Sequence, residues 1–377
     1  MVGAMPSGRR QVKSGFAQEC SVLREEKSVK ARLQFPFEGV PAAGEATEVA
    51  PGVLWLRMPL PYALNHINTW AIRDGAGWAV VDTGVNTSEA VAAWRAVLAG
   101  PFGGLPITRV ICTHMHPDHV GMAGWLTRRF RCSLLMTRLE YLTCRVLAAD
   151  TGREAPEEAL SFYRAAGWNE ESLQNYRARF GGFGRDIHAL PESMERLTDG
   201  QSLQIGEQTW QVVVGNGHSP EHACLYCPAL KLFISGDQVL PRISSNVSVF
   251  PSEPLADPLG DWIRSITKIR TTVPDDVLVL PSHNEPFRGL HARLDALDRG
   301  HHVALERLLS RLDEPRLVVD TFVALFARKI EGGSGLLGMA TGEAIAHLNH
   351  LLRREQITVR RDENGLAWYE RVADELS

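Results

Sequence analysis

Thr113-His114-Met115-His116-Pro117-Asp118-His119 is the stretch on which the reading of this chain turns. It follows Ile107-Thr108-Arg109-Val110-Ile111-Cys112, an apolar run that reads as a buried strand, and precedes Gly121–Phe130, which reads as a helix. The motif therefore falls on a loop at the C-terminal end of a strand, where α/β folds place their chemistry. Three imidazoles and one carboxylate crowded this closely repel one another and hydrate poorly unless a cation organises them, so a merely solvated capping loop is the weaker reading.

Downstream, three isolated polar groups stand just beyond apolar strands. His218 follows Thr209–Gly217, Asp237 follows Leu232–Gly236, and His283 follows Val277–Ser282. Each alone would be an ordinary turn residue. Together with the motif they make five histidines and two aspartates delivered at several strand ends. That set suits two divalent ions, one held mainly by imidazoles and the other by mixed ligands, with a carboxylate between them.

Composition narrows the class. The chain has 377 residues, with 40 Lys+Arg against 44 Asp+Glu and a net charge of −4, which excludes a globally basic nucleic-acid binder. Thirteen histidines stand beside six cysteines, too few thiols for a disulfide scaffold at this length. Cys224 and Cys227 lie three apart on a strand, so they point to opposite faces and read as core residues rather than a redox pair. No run approaches the roughly 18 apolar residues of a membrane span. Arg9, Arg10 and Lys13 are followed by no apolar core of leader length, so a secretory leader is disfavoured and a cytoplasmic location is expected.

Residues 1–45 read as an N-terminal arm, partly disordered. Strand, helix and strand then alternate with hairpins over 46–290, an α/β region with strands in two layers. Within it, 138–181 is a helical insertion bearing Tyr141, Phe162, Tyr163, Trp168 and Tyr176, suited to a lid, a pocket wall or a small satellite core. Residues 291–377 read as helices followed by a hairpin turning at Asn364-Gly365. Among lesser candidates, His222 is expected to orient the loop of His218. His66 belongs to a hairpin loop that either overhangs the site or is plain surface. Glu221 reads as a solvated turn residue or a rim charge, Arg242 as an anchor for an anionic group, and His301 and His302 as surface residues.

His114-x-His116-x-Asp118-His119, with Gly217-His218, Gly236-Asp237 and Ser282-His283, resembles the metallo-β-lactamase-fold hydrolases, close to the glyoxalase II type, across about 46–290. Asp82, in Ala79-Val80-Val81-Asp82-Thr83-Gly84, matches that family's first motif, whose aspartate supports the ligands from behind. The resemblance implies an αββα sandwich with metals at one edge. It implies His114, His116 and His218 on one ion, Asp118, His119 and His283 on the other, and Asp237 bridging both. It implies two divalent ions, zinc first with iron or manganese as alternatives, a hydroxide between them as nucleophile, and Asp118 as the catalytic proton carrier. Flavodiiron relatives place Glu where His116 stands, and true metallo-β-lactamases place Cys or Ser where Asp237 stands, so neither oxygen reduction nor lactam hydrolysis is favoured. Persulfide dioxygenases need one iron, whereas the full set here favours two ions.

The tail resembles the winged-helix module appended to one branch of the family, with Gly342–Arg354 as the helix that reads DNA in true winged-helix regulators. Arg353, Arg354, Arg360 and Arg361 are offset by Glu343, Glu355, Asp362 and Glu363, so a solvated face or a packing role is favoured. The function expected is dinuclear hydrolysis of a small acyl thioester of acyl-glutathione or acyl-CoA type. The alternative is a phosphodiesterase, in particular a single-strand endoribonuclease, and a DNA-binding regulator ranks third. The slightly acidic charge favours the thioester. A small-molecule partner is expected, nucleic acid and membrane are disfavoured, and a homodimer is left open.

Overall fold

The computed structural model describes residues 33–62, 64–327, 329–330 and 334–373. Most of the expected arm, residues 1–32, lies outside the described residues. The part that is described is tied down: Leu33 is buried, and Gln34 forms an antiparallel bridge to Arg288.

Fourteen strands and ten α-helices are described. The first sheet holds β1 (Ala46–Ala50), β2 (Val53–Pro59), β3 (His66–Asp74), β4 (Gly77–Val81), β5 (Ile107–Ile111), β6 (Ser133–Met136) and β7 (Glu195–Arg196), paired in sequence order. The second holds β8 (Ser202–Ile205), β9 (Gln208–Gly215), β10 (His222–Cys227), β11 (Leu232–Gly236) and β12 (Leu278–Pro281). A hairpin of β13 (Ile357–Arg361) and β14 (Ala367–Arg371) forms a third, small sheet. The helices are α1 (Ser88–Ala99), α2 (Pro117–Val120), α3 (Ala123–Phe130), α4 (Arg138–Ala149), α5 (Glu157–Ala165), α6 (Glu170–Arg179), α7 (Pro258–Thr272), α8 (Leu290–Leu309), α9 (Phe322–Leu325) and α10 (Ser334–Arg353).

Side-chain alternation turns these strands into layers. On β10, Ala223, Leu225 and Cys227 face one core while Cys224 and Tyr226 face another, as a period of two requires. The inter-sheet core packs Trp55 and Trp70 of the first sheet with Trp210, Leu225 and Ile234 of the second. On the outer face of the first sheet, Trp94 of α1 and Leu126 of α3 bury against Val80 and Val110. On the outer face of the second, Trp262 of α7 and Leu294 of α8 bury against Val213 and Phe233. The result is an αββα sandwich, each fully buried apolar side chain contributing about 1.5–3 kcal/mol. Cys224 and Cys227 are free and lie in separate cores, so they are packing residues.

β4 and β5 are parallel, and so are β11 and β12. The C-terminal ends of all four therefore deliver Asp82, the histidine motif, Asp237 and His283 to one edge of the sandwich.

Local departures from the sequence reading have physical causes. Ser88 reads as the opening residue of helix α1, but the cap is Thr87, whose Oγ1 accepts from the Ala90 N–H at 3.1 Å. Leu317–Ile330 reads as a helix but yields a 3₁₀ turn at Val318–Thr321 and only four residues of α9, because its β-branched run disfavours a longer helix. Helix α10 begins at Ser334, ahead of the expected Gly342. Gly342 is tolerated inside it because a Cβ there would lie 2.7 Å from Ser248 Cβ, a close approach between backbones that only glycine permits. The face of α10 bearing Ala344, Ile345, Leu348 and Leu351 is buried in the sandwich's outer core, so the segment Gly342–Arg354 packs against the fold. His301 corrects the surface reading: it lies in the buried stripe Leu294, Leu297, His301, Leu305, Leu308 of α8, with its ring 6.4 Å from Trp262, while His302 is exposed. Among the described residues, no helix is long and apolar enough to cross a membrane.

Candidate metal centre

The motif occupies the turn from β5 into α2. Pro117 opens that short helix and places Asp118 and His119 in its first turn. His218 and Asp237 come from the loops after β9 and β11, and His283 from the loop after β12. Donor atoms of three groups lie within 4.8 Å of one another: His114, His116 and His218; His114, His119 and Asp237; and Asp118, His119 and His283. His114 Nε2 is 2.8 Å from His116 Nδ1 and 3.3 Å from His218 Nε2. Asp237 stands between the groups, one carboxylate oxygen 3.4 Å from His218 Nε2 and 3.6 Å from His119 Nε2, the other 3.5 Å from His283 Nε2. Asp118 reaches His119 at 3.6 Å and His283 at 3.4 Å.

His119 Nε2 and Asp237 Oδ1 are fully buried without a hydrogen-bond partner. Buried polar atoms are almost always satisfied, so two orphans aimed into one polar cluster fit a cation that takes their lone pairs. Nitrogen and oxygen donors with no thiolate suit zinc, iron or manganese equally.

Outer contacts fix the imidazoles. Asp82 accepts from His119 Nδ1 at 2.8 Å and from the Thr113 N–H at 2.8 Å. His218 Nδ1 donates to the Asn246 carbonyl at 2.7 Å, and His283 Nδ1 to the His66 carbonyl at 3.0 Å. Each leaves Nε2 free to face the cluster, as ligating histidines require.

Charge divides the site into two halves. Burial and crowding by neighbouring imidazoles push His114 well down, and burial pushes His116 down to about 3. At His119 and His283 burial also opposes charge, but the facing carboxylates, Asp118 and Asp237 at both and Asp82 at His119, outweigh it and hold both above the ordinary value. Asp118, despite its burial, is drawn down to about 2 by His119 and His283. Burial therefore holds His114 and His116 toward neutral imidazole, while the facing carboxylates favour the charged form at His119 and His283.

Residues singled out in the sequence fall in specific places. His222 is buried and its Nε2 accepts from the Asp237 N–H at 3.0 Å, so it orients Asp237 rather than the loop of His218. His66 opens β3, and its Nε2 accepts from the Asn284 N–H at 3.2 Å, bracing the His283 loop. Glu221 is partly exposed, as a solvated turn residue would be, and its carboxylate also accepts from the Leu139 N–H at 2.9 Å and steadies the start of α4. Arg242 is committed to Glu285 at 3.0 Å and stacks over Phe35, so it is not held out toward the metal cluster. The insertion serves two uses, since Tyr163 and Trp168 belong to the outer core while Tyr163, Tyr176, Arg179 and Phe180 also wall the pocket above the cluster.

Three supports escaped the sequence reading. Glu140 is fully buried in α4 and accepts from the Met115 N–H at 2.9 Å, Ser219 Oγ at 2.7 Å and the Glu221 N–H at 2.7 Å. It ties the motif loop to the His218 loop. Its only signal is position, an acid in the first turn of a helix opened by Thr137. Asn246 and Glu343 form the second and third. Asn246 Nδ2 donates to Glu343 of α10 at 2.8 Å, while its carbonyl holds His218. A Glu343→Ala variant is expected to fold but to lose about 10-fold in metal affinity, read by competition with a chromogenic chelator. Unchanged affinity would detach α10 from His218.

Comparisons agree with this architecture. A family model described as "Metallo-beta-lactamase superfamily" matches residues 63–318, and one described as "Metallo-beta-lactamase-like, C-terminal domain" matches residues 305–372. A beta-lactamase domain protein from Burkholderia ambifaria has 38% identity and a TM-score of 0.83, over 92% of this chain and 100% of that one. The "Probable metallo-hydrolase YqjP" of Bacillus subtilis is 24% identical over 81% of this chain and 94% of its own length. The "Atrochrysone carboxyl ACP thioesterase" of Aspergillus fumigatus is 22% identical over 62% of this chain and 41% of its own length.

Proposed function

Because the chain belongs to the metallo-beta-lactamase superfamily, we propose that it is a hydrolase holding two divalent ions and acting on a small acyl thioester. His114, His116 and His218 would hold one ion, Asp118, His119 and His283 the other, with Asp237 shared. When bound, such ions polarise a scissile carbonyl and lower the pKa of water.

The chain's own residues supply the rest. Asp118 lines the pocket, stays ionised far below neutral pH, and is placed to accept a proton from water and return it to the leaving group. The observation that carries the substrate class is the pocket wall. A cavity of about 540 Å³ over His116, Asp118, His218 and Asp237 is lined in part by Tyr62, Tyr163, Tyr176, Phe180 and Phe250. Such a wall takes an apolar acyl chain, whereas a polynucleotide needs a basic groove, and among the described residues Arg179 is the only Lys or Arg in this lining. A thiolate leaves without strong acid assistance, consistent with a site whose carboxylate is held ionised. The relative named as an ACP thioesterase supports the same class.

The test is a panel of acyl-CoA, acyl-glutathione, a lactam and single-stranded RNA, with His116→Ala as control. Thioester turnover lost in the control is expected. Turnover of RNA alone overturns the reading.

Protons compete with metal where imidazoles hold charge. A raised pKa means the proton is retained to higher pH, so affinity at the Asp118/His119/His283 group rises with pH through that raised value, while His114 and His116, both held down, stay free of protons to lower pH. Metal content after dialysis from pH 8 down to pH 5, about two units of pH beyond neutrality by the ordinary scale, is expected to fall from two ions to one before reaching zero. Loss of both ions in one step would contradict it.

A further inference from the structure

Back to back with the metal pocket lies a second cavity, of about 430 Å³, bounded by α8, the segment Pro241–Ser244 and α10. Glu343 lines this cavity and Asn246 lines the metal pocket, so their hydrogen bond forms part of the partition between the two. Nothing in the proposed hydrolysis uses it.

Its surfaces differ in character from floor to mouth. Gly300, in the interior of α8, faces the space, and a Cβ built there would meet nothing within 4 Å. A glycine inside a helix costs about 1 kcal/mol relative to alanine, so the helix gives up stability where packing does not ask for it. Leu297, Ala304 and Leu325 supply apolar walls. His347 is buried, and its Nδ1 donates to the Glu343 carbonyl at 2.8 Å, which leaves Nε2 as an acceptor. That Nε2 is buried without a partner. His347 and Glu343 both belong to the cavity wall and carry acceptor groups, which suits a ligand that brings donors.

At the mouth the sign reverses. Arg299 and Arg307 are exposed, and neither has an ion-pair partner among the described residues. Arg242 and Arg293, which also line the cavity, are by contrast committed to Glu285 and to the Leu240 and Ile243 carbonyls. Two unpaired guanidinium groups at the rim of a partly apolar cavity match a doubly charged anion, which their planar forks bind in bidentate fashion. The chain ahead of Leu33 carries more basic than acidic residues, so its charge does not complement this rim.

We propose that this cavity is a second ligand site, taking a small phosphorylated molecule whose phosphate meets Arg299 and Arg307 and whose body brings amine or hydroxyl donors to His347 and Glu343.

The test uses the full-length, metal-loaded protein and isothermal titration calorimetry. The probes are AMP, adenosine, inorganic phosphate and succinate. AMP is expected to bind one per chain, at least 10-fold tighter than adenosine or phosphate alone, and more weakly as salt rises. Arg299→Glu with Arg307→Glu is expected to weaken AMP at least 10-fold, and so is Gly300→Leu, which projects a side chain into the cavity. Because the arginines are exposed, the charge-reversed protein should keep its melting temperature, metal content and turnover. AMP binding that survives both variants, or millimolar affinity for every probe, overturns the proposal. Binding of succinate in preference to AMP overturns the phosphate assignment.

Discussion

An Asp237→Ala variant is expected to lose at least ~10³-fold in kcat/KM, about 4 kcal/mol of transition-state stabilisation, and to retain fewer ions than the parent. The expectation follows from position. Among the described residues, Asp237 is the one carboxylate within 3.6 Å of imidazoles from both halves of the cluster, His218 on one side and His119 and His283 on the other. Its Oδ1 is buried and unpartnered, so the backbone has already met the desolvation penalty of presenting a bare oxygen to the site. Removing it deletes a negative charge shared between two prospective cations and leaves His119 with weaker compensation. The fold should survive, because the Asp237 N–H that His222 holds belongs to the main chain. Metal analysis and turnover on the same preparation decide the matter. Full activity with two ions retained would mean that Asp237 does not bridge, and the two groups would then have to be treated as independent.

The strands, the two layers and the convergence of the seven polar side chains were legible in the sequence because each rests on a local pattern. Alternation on β10 separates Cys224 from Cys227, and an apolar run ending in a polar residue marks each strand tip. What was not legible depends on residues far apart in the chain. Glu140 looks like an ordinary first-turn acid of α4, and only folding brings Met115, Ser219 and Glu221 to it. Arg242 lies close to Asp237 in sequence, yet Glu285 claims its guanidinium. The balanced charges around Gly342–Arg354 already favoured packing or solvation over DNA reading, but they could not show that Gly335 and Met339 of α10 line the metal pocket or that Glu343 reaches Asn246. Asn68 belongs with these: its side chain accepts from Trp55 Nε1 at 2.8 Å and donates to the Pro281 carbonyl at 2.9 Å, joining the first sheet to the strand that leads into His283.

Asp82 supplies the prediction with the largest expected effect on stability. It is buried, it adopts a φ of 61° that non-glycine residues seldom take, and it accepts from the Thr113 N–H, from Thr113 Oγ1 at 2.9 Å and from His119 Nδ1. An Asp82→Ala variant keeps the strained backbone and removes the acceptor for all three donors. Breaking a buried charged pair by deleting one partner costs about 3–5 kcal/mol, so at this chain length Tm should fall by roughly 4–9 °C. Asp82→Asn separates charge from shape. Asparagine tolerates positive φ and can still accept from the Thr113 N–H, so most of the stability should return. What it cannot restore is the negative charge that helps hold the His119 imidazole, with Nε2 aimed at Asp118 and Asp237. The Asn variant is therefore expected to melt near the parent yet bind metal at the Asp118/His119/His283 group about 10–100-fold more weakly. Equal metal affinity in Asp82→Asn and parent would reduce Asp82 to a backbone clasp for Thr113. A Tm within about 2 °C of the parent for Asp82→Ala, against the several-kcal penalty above, would mean that water replaces the carboxylate behind His119.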